Sequence, residues 1–283
     1  MDEVAEIPAL RAWVAAERAR GERIGFVPTM GFLHEGHLAL VDAARRTAGR
    51  VVMSIFVNPL QFGPTEDLAR YPRDLPRDGE LASRRGVDLL FVPSLETMYP
   101  AGAETRVVPG ALADRWEGGH RPGHFAGVLT VVAKLFHLVQ PDAAWFGQKD
   151  FQQVAVVRRM VRDLDWPLAI EVLKTVRDPD GLALSSRNAY LSAEEHTQAL
   201  GLSRALRGAC DAWRAGEHSG AQLEQVMRDT LALHPGVTVD YIAVVAPDSL
   251  QPVKDASPSD VAMLAARVGR TRLIDNAILG EGL

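Results

Sequence analysis

Over residues 1–175 this chain alternates short apolar, β-rich runs with amphipathic helical patterns, and that alternation restricts its fold more than any other feature. Residues 8–20 read as a helix and 23–28 as a strand; 36–48 read as a helix and 51–57 (VVMSIFV) as a buried strand. Helix 75–85 leads to strand 87–93 (VDLLFVP), helix 125–138 to strand 143–146, and helix 150–164 to strand 168–172. Strands that are apolar throughout are buried on both faces, so helices must cover both sides of a parallel sheet. In such sheets ligands bind beyond the carboxyl ends of the strands, near the point where strand order reverses. The segments of interest are therefore 28–37, 58–71, 147–153 and 175–188.

The pattern changes after residue 176. Two Ala-rich helical stretches, 193–215 and 219–233, precede β-rich runs at 237–245, 261–268 and 271–278. Helices followed by strands indicate an α+β domain with an antiparallel sheet. The expected fold is thus α/β, with a parallel-sheet domain over 1–175 and a smaller α+β domain over 176–283. The turn-forming stretch VRDPDG, 176–181, is the expected hinge.

Composition narrows the function. With 283 residues, 47% of them hydrophobic and 24% charged, the chain can bury a full core. Its net charge of −5 argues against a broad electrostatic grip on nucleic acid, so an anionic ligand must be held by a local cluster of donors. Cys210 is the single cysteine, which excludes an internal disulfide and a cysteine-rich zinc cluster and fits a reducing compartment. The start, MDEVAEIPAL, is acidic where a secretory signal is basic. The most apolar stretch, 125–139, contains Lys134 and His137 and is too short to span a bilayer. A cytoplasmic enzyme with no membrane partner is the expectation.

Within FVPTMGFLHEGH, 26–37, a strand runs into a loop with His34 and His37 three apart across Glu35 and Gly36. If His37 lies in a first helical turn, both imidazoles share one face near a helix N-terminus, whose free N–H groups and positive potential suit phosphates. Taken alone the pattern fits two surface histidines equally well, and zinc fits less well, since no third-ligand motif accompanies the pair. In SIFVNPLQFGPTEDLARYPRD, 54–74, Gln61, Phe62, Asp67 and Tyr71 follow a buried strand; Gln61 suits a small hydroxy acid and Phe62 suits apolar methyls. An ordinary structured loop with an exposed Gln is the plainer reading. Further on, Gly147, Gln148, Lys149 and Asp150 end a short strand and open a helix, with Gln153 one turn beyond Lys149. Lys149 then stands near a second helix start, where Asp150 also fits a simple N-cap. Arg121 and His124 are further candidate anion contacts, or parts of a solvated loop. Finally, Ser185, Ser186 and Arg187 offer hydroxyls and a guanidinium beside the turn at Asp180 and Gly181, or else a helix cap.

Taken together, PTMGFLHEGH, SIFVNPLQF, RPGHFAGVLTVV, FGQKDFQQ, LALSSRN and TRLIDN (271–276) resemble the pantothenate synthetases, the pantoate–β-alanine ligases. These enzymes belong to the nucleotidylyltransferase superfamily that includes class I aminoacyl-tRNA synthetases. HEGH is similar to that superfamily's HIGH motif and Ser185 to Asn188 to its KMSKS loop. Gln148 stands where Glu is more usual. The resemblance implies a Rossmann-like N-terminal domain, a C-terminal lid domain, a homodimer, and ATP with Mg²⁺. It implies that pantoate attacks the α-phosphorus of ATP to give pantoyl adenylate and pyrophosphate, after which β-alanine displaces AMP. It assigns ATP to Met30, Gly31, Phe32, Leu33, His34, Glu35, Gly36 and His37, to Gly147, Gln148, Lys149 and Asp150, and to Val176, Leu184, Ser185, Ser186 and Arg187. Catalysis would rest on His37, His34, Lys149, Ser185, Ser186 and Arg187. Pantoate would be held by Gln61 and Gln153, with Pro28 and Met30 against its methyls. No metal ligands are assigned. Ser185 to Arg187 would reach the triphosphate as the lid closes. Two other readings are a single-step nucleotidylyltransferase, whose phosphate acceptor would want more Arg or Lys than SIFVNPLQF offers, and a non-catalytic RNA-binding module, which the acidic charge disfavours.

Overall fold

The computed structural model describes residues 1–283. Its strands are β1 (Asp2–Val4), β2 (Ile24–Thr29), β3 (Arg50–Ile55), β4 (Leu89–Phe91), β5 (Ala143–Gly147), β6 (Ala169–Leu173), β7 (Val237–Val245), β8 (Val261–Val268) and β9 (Thr271–Ile278). Its helices are α1 (Ile7–Ala19), α2 (Glu35–Arg45), α3 (Leu75–Arg84), α4 (Leu95–Met98), α5 (Glu117–His120), α6 (His124–Val139), α7 (Phe151–Asp163), α8 (Ala193–Arg214) and α9 (Gly220–Ala232). The chain forms two compact units. The first comprises Met1–Ala113, Arg121–Gly147 and Val156–Lys174; the second comprises Asp114–His120, Gln148–Ala155 and Thr175–Leu283. The sequence pattern had assigned 114–120 and 148–155 to the first domain. Side-chain bonds tie them into the second: Arg272 pairs with Glu117, whose backbone N–H donates to Gln152 Oε1 at 3.0 Å.

The first unit is built on a six-stranded parallel sheet in the order β1-β4-β3-β2-β5-β6. That is a Rossmann-like order with an added edge strand, and it reverses at β2. Successive side chains of β2 point to opposite faces. Val27 joins Leu38, Val41, Met53, Ala82 and Leu90 in the core under α2 and α3. Phe26 instead meets Phe136 of α6 edge-on at 6.3 Å, and Phe136 meets Phe146 at 6.3 Å and Trp166 at 6.0 Å. β1 has no sequence signal, because three polar-flanked residues become a strand only by pairing with β4. β2 and β5 pair only at Gly25↔Ala143 and Phe26↔Ala144. Pro28 has no N–H to extend that ladder, so the two strand ends separate at the switch point.

The second unit is an antiparallel sheet, β7-β8-β9, with α8 and α9 packed on it. Leu202, Leu206, Leu223, Met227, Val244, Leu264 and Ala266 form its core. Cys210 lies buried in that core, and burial pushes its thiol up, away from the reactive thiolate. Ser192 and Glu195 form a capping box that starts α8. No helix is long and apolar enough to cross a membrane.

Candidate active site

After β2 the chain turns through Gly31 at φ +83° and Phe32 at φ 50°. A Cβ on Gly31 would meet Ile55 Cγ2 at 2.9 Å and Asp78 Oδ2 at 3.0 Å, so both the backbone conformation and the space require glycine. The loop is held by Asp78 of α3, 1% exposed. Its carboxylate accepts the Phe32 N–H at 2.6 Å and the Leu33 N–H at 2.7 Å. Burial pushes its pKa up in spite of those two donors. Arg77 donates to Leu33 O at 2.9 Å and lies 5.6 Å from the centre of the Phe32 ring. Sequence reasoning missed Asp78, because an acid in the first turn of a helix reads as an ordinary dipole partner.

The loop delivers His34 to the N-cap of α2 and His37 to its first turn. Gly36 N–H donates to His34 Nδ1 at 3.1 Å, and His34 N–H donates to His37 Nδ1 at 3.4 Å. The ring centres are 4.0 Å apart. A nitrogen that accepts an N–H carries no proton, so each neutral ring holds its hydrogen on Nε2. In that form the pair presents N–H groups beside a helix N-terminus, which suits an oxyanion. Glu35, between them, pairs outward with Arg85 at 2.5 Å.

Beyond β3, Asn58 organises the 3₁₀ turn Pro59–Gln61. Its Oδ1 accepts from Leu60 N–H at 3.3 Å and from the Tyr99 hydroxyl at 3.0 Å. Its Nδ2 donates to Gln61 Oε1 at 3.0 Å and to Gly127 O at 3.1 Å. Gln61 is 8% exposed, with Nε2 at 3.3 Å from Met30 Sδ, so the residues expected on pantoate from β2 and from the β3 loop come together here. The close approach depends on Gly127 of α6, where any Cβ would run into the Leu60 carbonyl. Burial raises the Tyr99 hydroxyl to about 12, keeping it a neutral donor.

Arg121 and His124 take a different part from the anion contacts expected of them. Arg121 clamps Glu66 with two bonds of 2.8 and 2.6 Å and donates to Gln61 O at 3.2 Å. His124 Nδ1 donates to Gln61 O at 2.8 Å, leaving Nε2 to accept from Arg121 at 3.0 Å. Burial alone would raise Glu66, but the Arg121 bonds and charge outweigh it and its carboxyl lies low. These groups fix the loop. Phe62, a candidate for methyl contact, packs edge-on against Tyr71 at 5.9 Å.

In the second unit Gln148–Asp150 form a 3₁₀ turn ahead of α7, with Lys149, Asp150 and Gln153 partly exposed and Gln148 buried. The stretch expected as a hinge is a small hairpin: Arg177 bridges Ala183, Leu184 N–H donates to Val176 O at 2.9 Å, and Gly181 N–H donates to Asp178 O at 2.8 Å. It thereby pairs Val176 with Leu184. Ser185 caps the next 3₁₀ turn, Ser186–Tyr190, accepting Arg187 N–H at 3.2 Å. Thr175 Oγ1 and Asn188 Oδ1 are buried in this segment without a hydrogen-bond partner. No three His, Cys, Asp or Glu side chains converge as a metal cage.

Comparison with known proteins agrees with this geometry. Residues 2–278 match the family model described as pantoate-beta-alanine ligase. The chain is 53% identical over 279 residues to the pantothenate synthetase of Moorella thermoacetica, covering 99% of both. Among solved structures it is similar to pantothenate synthetase from Thermus thermophilus, with a TM-score of 0.95, 51% identity and 99% of both chains covered. It is also similar to the pantoate-beta-alanine ligase of Francisella tularensis, solved with β,γ-ATP and β-alanine, at TM-score 0.80, 33% identity and coverage of 99% and 98%. The chain belongs to the pantoate–β-alanine ligase family.

Proposed function

We propose that this chain condenses pantoate with β-alanine at the expense of ATP, through a pantoyl adenylate, releasing pyrophosphate and then AMP. The observation that carries the reading is the His34–His37 pair at the start of α2, where backbone N–H bonds to both Nδ1 atoms put the hydrogen of each neutral ring on Nε2. A carboxylate oxygen is a poor leaving group, and adenylation replaces it with AMP. As a pantoate oxygen bonds to the α-phosphorus, the bond to the β-phosphate oxygen breaks and pyrophosphate departs with its electrons. Charge on the non-bridging oxygens is met by the imidazole N–H groups, the helix end and Lys149. Gln61 orients pantoate, helped by Gln153, with Pro28 and Met30 against its methyls. The amine of β-alanine then attacks the acyl carbon and AMP leaves. Positioning and charge stabilisation are sufficient, so no covalent protein nucleophile is needed.

Met30 to His37, Gly147 to Asp150, Val176 and Leu184 to Arg187 are proposed to contact ATP. Mg²⁺ is proposed to arrive on the triphosphate, since Mg²⁺ keeps its waters and binds largely through substrate phosphates. When bound, it offsets phosphate charge. The chain is further proposed to act as a cytoplasmic homodimer. The decisive experiment is ATP–pyrophosphate exchange with pantoate and without β-alanine. Exchange that depends on pantoate is expected, because the adenylate forms before the amine is required. Exchange with a different carboxylic acid and none with pantoate would overturn the substrate assignment.

A further inference from the structure

TRLIDN, like RPGHFAGVLTVV, has no residue in the mechanism above. Its last two residues sit in the middle of β9, Asp275 at 3% and Asn276 at 2% exposure. Burying a carboxylate and a carboxamide side by side costs stability unless each is fully bonded. Both are bonded, and to different segments.

The Asn276 amide donates both Nδ2 hydrogens to backbone carbonyls, Gln148 O at 2.9 Å and Lys149 O at 2.9 Å. Its Oδ1 accepts from Gln148 Nε2 at 3.2 Å. The amide therefore holds the backbone from which Lys149 and Asp150 project. Asp275 receives the Arg177 guanidinium in a two-bond fork of 2.6 and 2.9 Å, and also accepts Asn276 N–H at 2.8 Å. Arg177 in turn donates to Gly181 O at 3.2 Å, inside the hairpin that pairs Val176 with Leu184 and leads into Ser185. One dipeptide on a rigid strand thus fixes the two segments that carry the proposed nucleotide contacts of this unit. A simple structural role would be served by apolar residues, as at Ala277, which is buried on the same strand.

We infer that Asn276 and Asp275 are positioning residues for adenylate formation, with Asn276 acting through Lys149 and Asp275 acting through the hairpin ahead of Ser185. This rests on the proposed nucleotide role of the 148–150 turn. Asn276→Asp keeps the shape but removes the two donors and sets charge against the two carbonyls. It should lower the turnover of pantoate-dependent ATP–pyrophosphate exchange by about 10²-fold, the scale of a misplaced contact group. The KM for pantoate should stay near wild type. Asp275→Asn, which weakens the Arg177 fork, should raise the KM for ATP. The diagnostic variant is Asn276→Asp combined with Lys149→Ala: if Asn276 acts through Lys149, the pair is no slower than Lys149→Ala alone. Should Asn276→Asp fail to fold, Asn276→Ala removes the donors without adding charge and is read the same way. Multiplied losses in the double variant, or full turnover in a folded Asn276 variant, overturn the inference while leaving the nucleotide reading intact. Wild-type exchange in Lys149→Ala sinks the nucleotide reading of the turn, and this inference with it.

Discussion

An imidazole's protonation follows from what its neighbours donate, and in this chain backbone N–H groups make that choice for His34 and His37. Both Nδ1 atoms accept, so the neutral form of each ring carries its hydrogen on Nε2. If His37 meets charge that develops only in the transition state, His37→Ala should slow adenylate formation by about 10²–10³-fold. The KM for ATP should change little, because a contact made only in the transition state leaves ground-state binding intact. Steady-state exchange kinetics at varied ATP check this; unchanged turnover with a raised KM would make His37 a ground-state contact. That His34 and His37 share a helix start and that Gln61 follows a buried strand was legible in the sequence. Asp78 and Asn58 were not. Each looks like a surface acid or a turn residue until the fold brings it to the loop or amide that it fixes.

For whole elements, segment 175–190 carries proposed nucleotide contacts of the second unit. It holds two buried oxygens without a hydrogen-bond partner, Thr175 Oγ1 and Asn188 Oδ1, in a hairpin and 3₁₀ turn. A ligand that binds only the folded form of such a segment stabilises it. Mg²⁺-ATP should therefore slow amide exchange across 176–188, while pantoate alone does much less, and Arg187→Ala should abolish the protection even at saturating ATP. Hydrogen exchange read by mass spectrometry tests this, and identical exchange with and without nucleotide would make the segment a fixed wall. VRDPDG carries turn formers, which fit a hinge and a hairpin alike; the Arg177–Asp275 fork and the Arg177↔Ala183 bridge show that the stretch forms a hairpin.

For the molecule as a whole, net charge bears on the choice of partner. At −5, and with Arg121, Arg177 and Arg272 each paired to acids, a broad electrostatic grip on a polyanion is not expected. In filter binding at low salt, tRNA should therefore not be retained. Tight tRNA binding without ATP turnover would instead support a binding module built on a synthetase fold.

The sequence by itself determined the layers and the chemistry class. Apolar runs of strand length between helical patterns allow only a covered parallel sheet, and the run of helices then strands after residue 190 allows an α+β unit, because hydrophobic period follows local backbone geometry. Phosphate-binding loops are equally local, since a strand end, a glycine and a helix start lie within a dozen or so residues of one another. What only the tertiary structure decided is which polar groups are already committed. Arg121 and His124 had the right types for an anion but are bonded to Glu66 and the Gln61 carbonyl. Asp275 and Asn276 had no visible task until β9 carried them to Arg177 and the Gln148–Lys149 backbone. A hydrogen bond between distant residues depends on where the chain has brought both ends, and no local pattern records that.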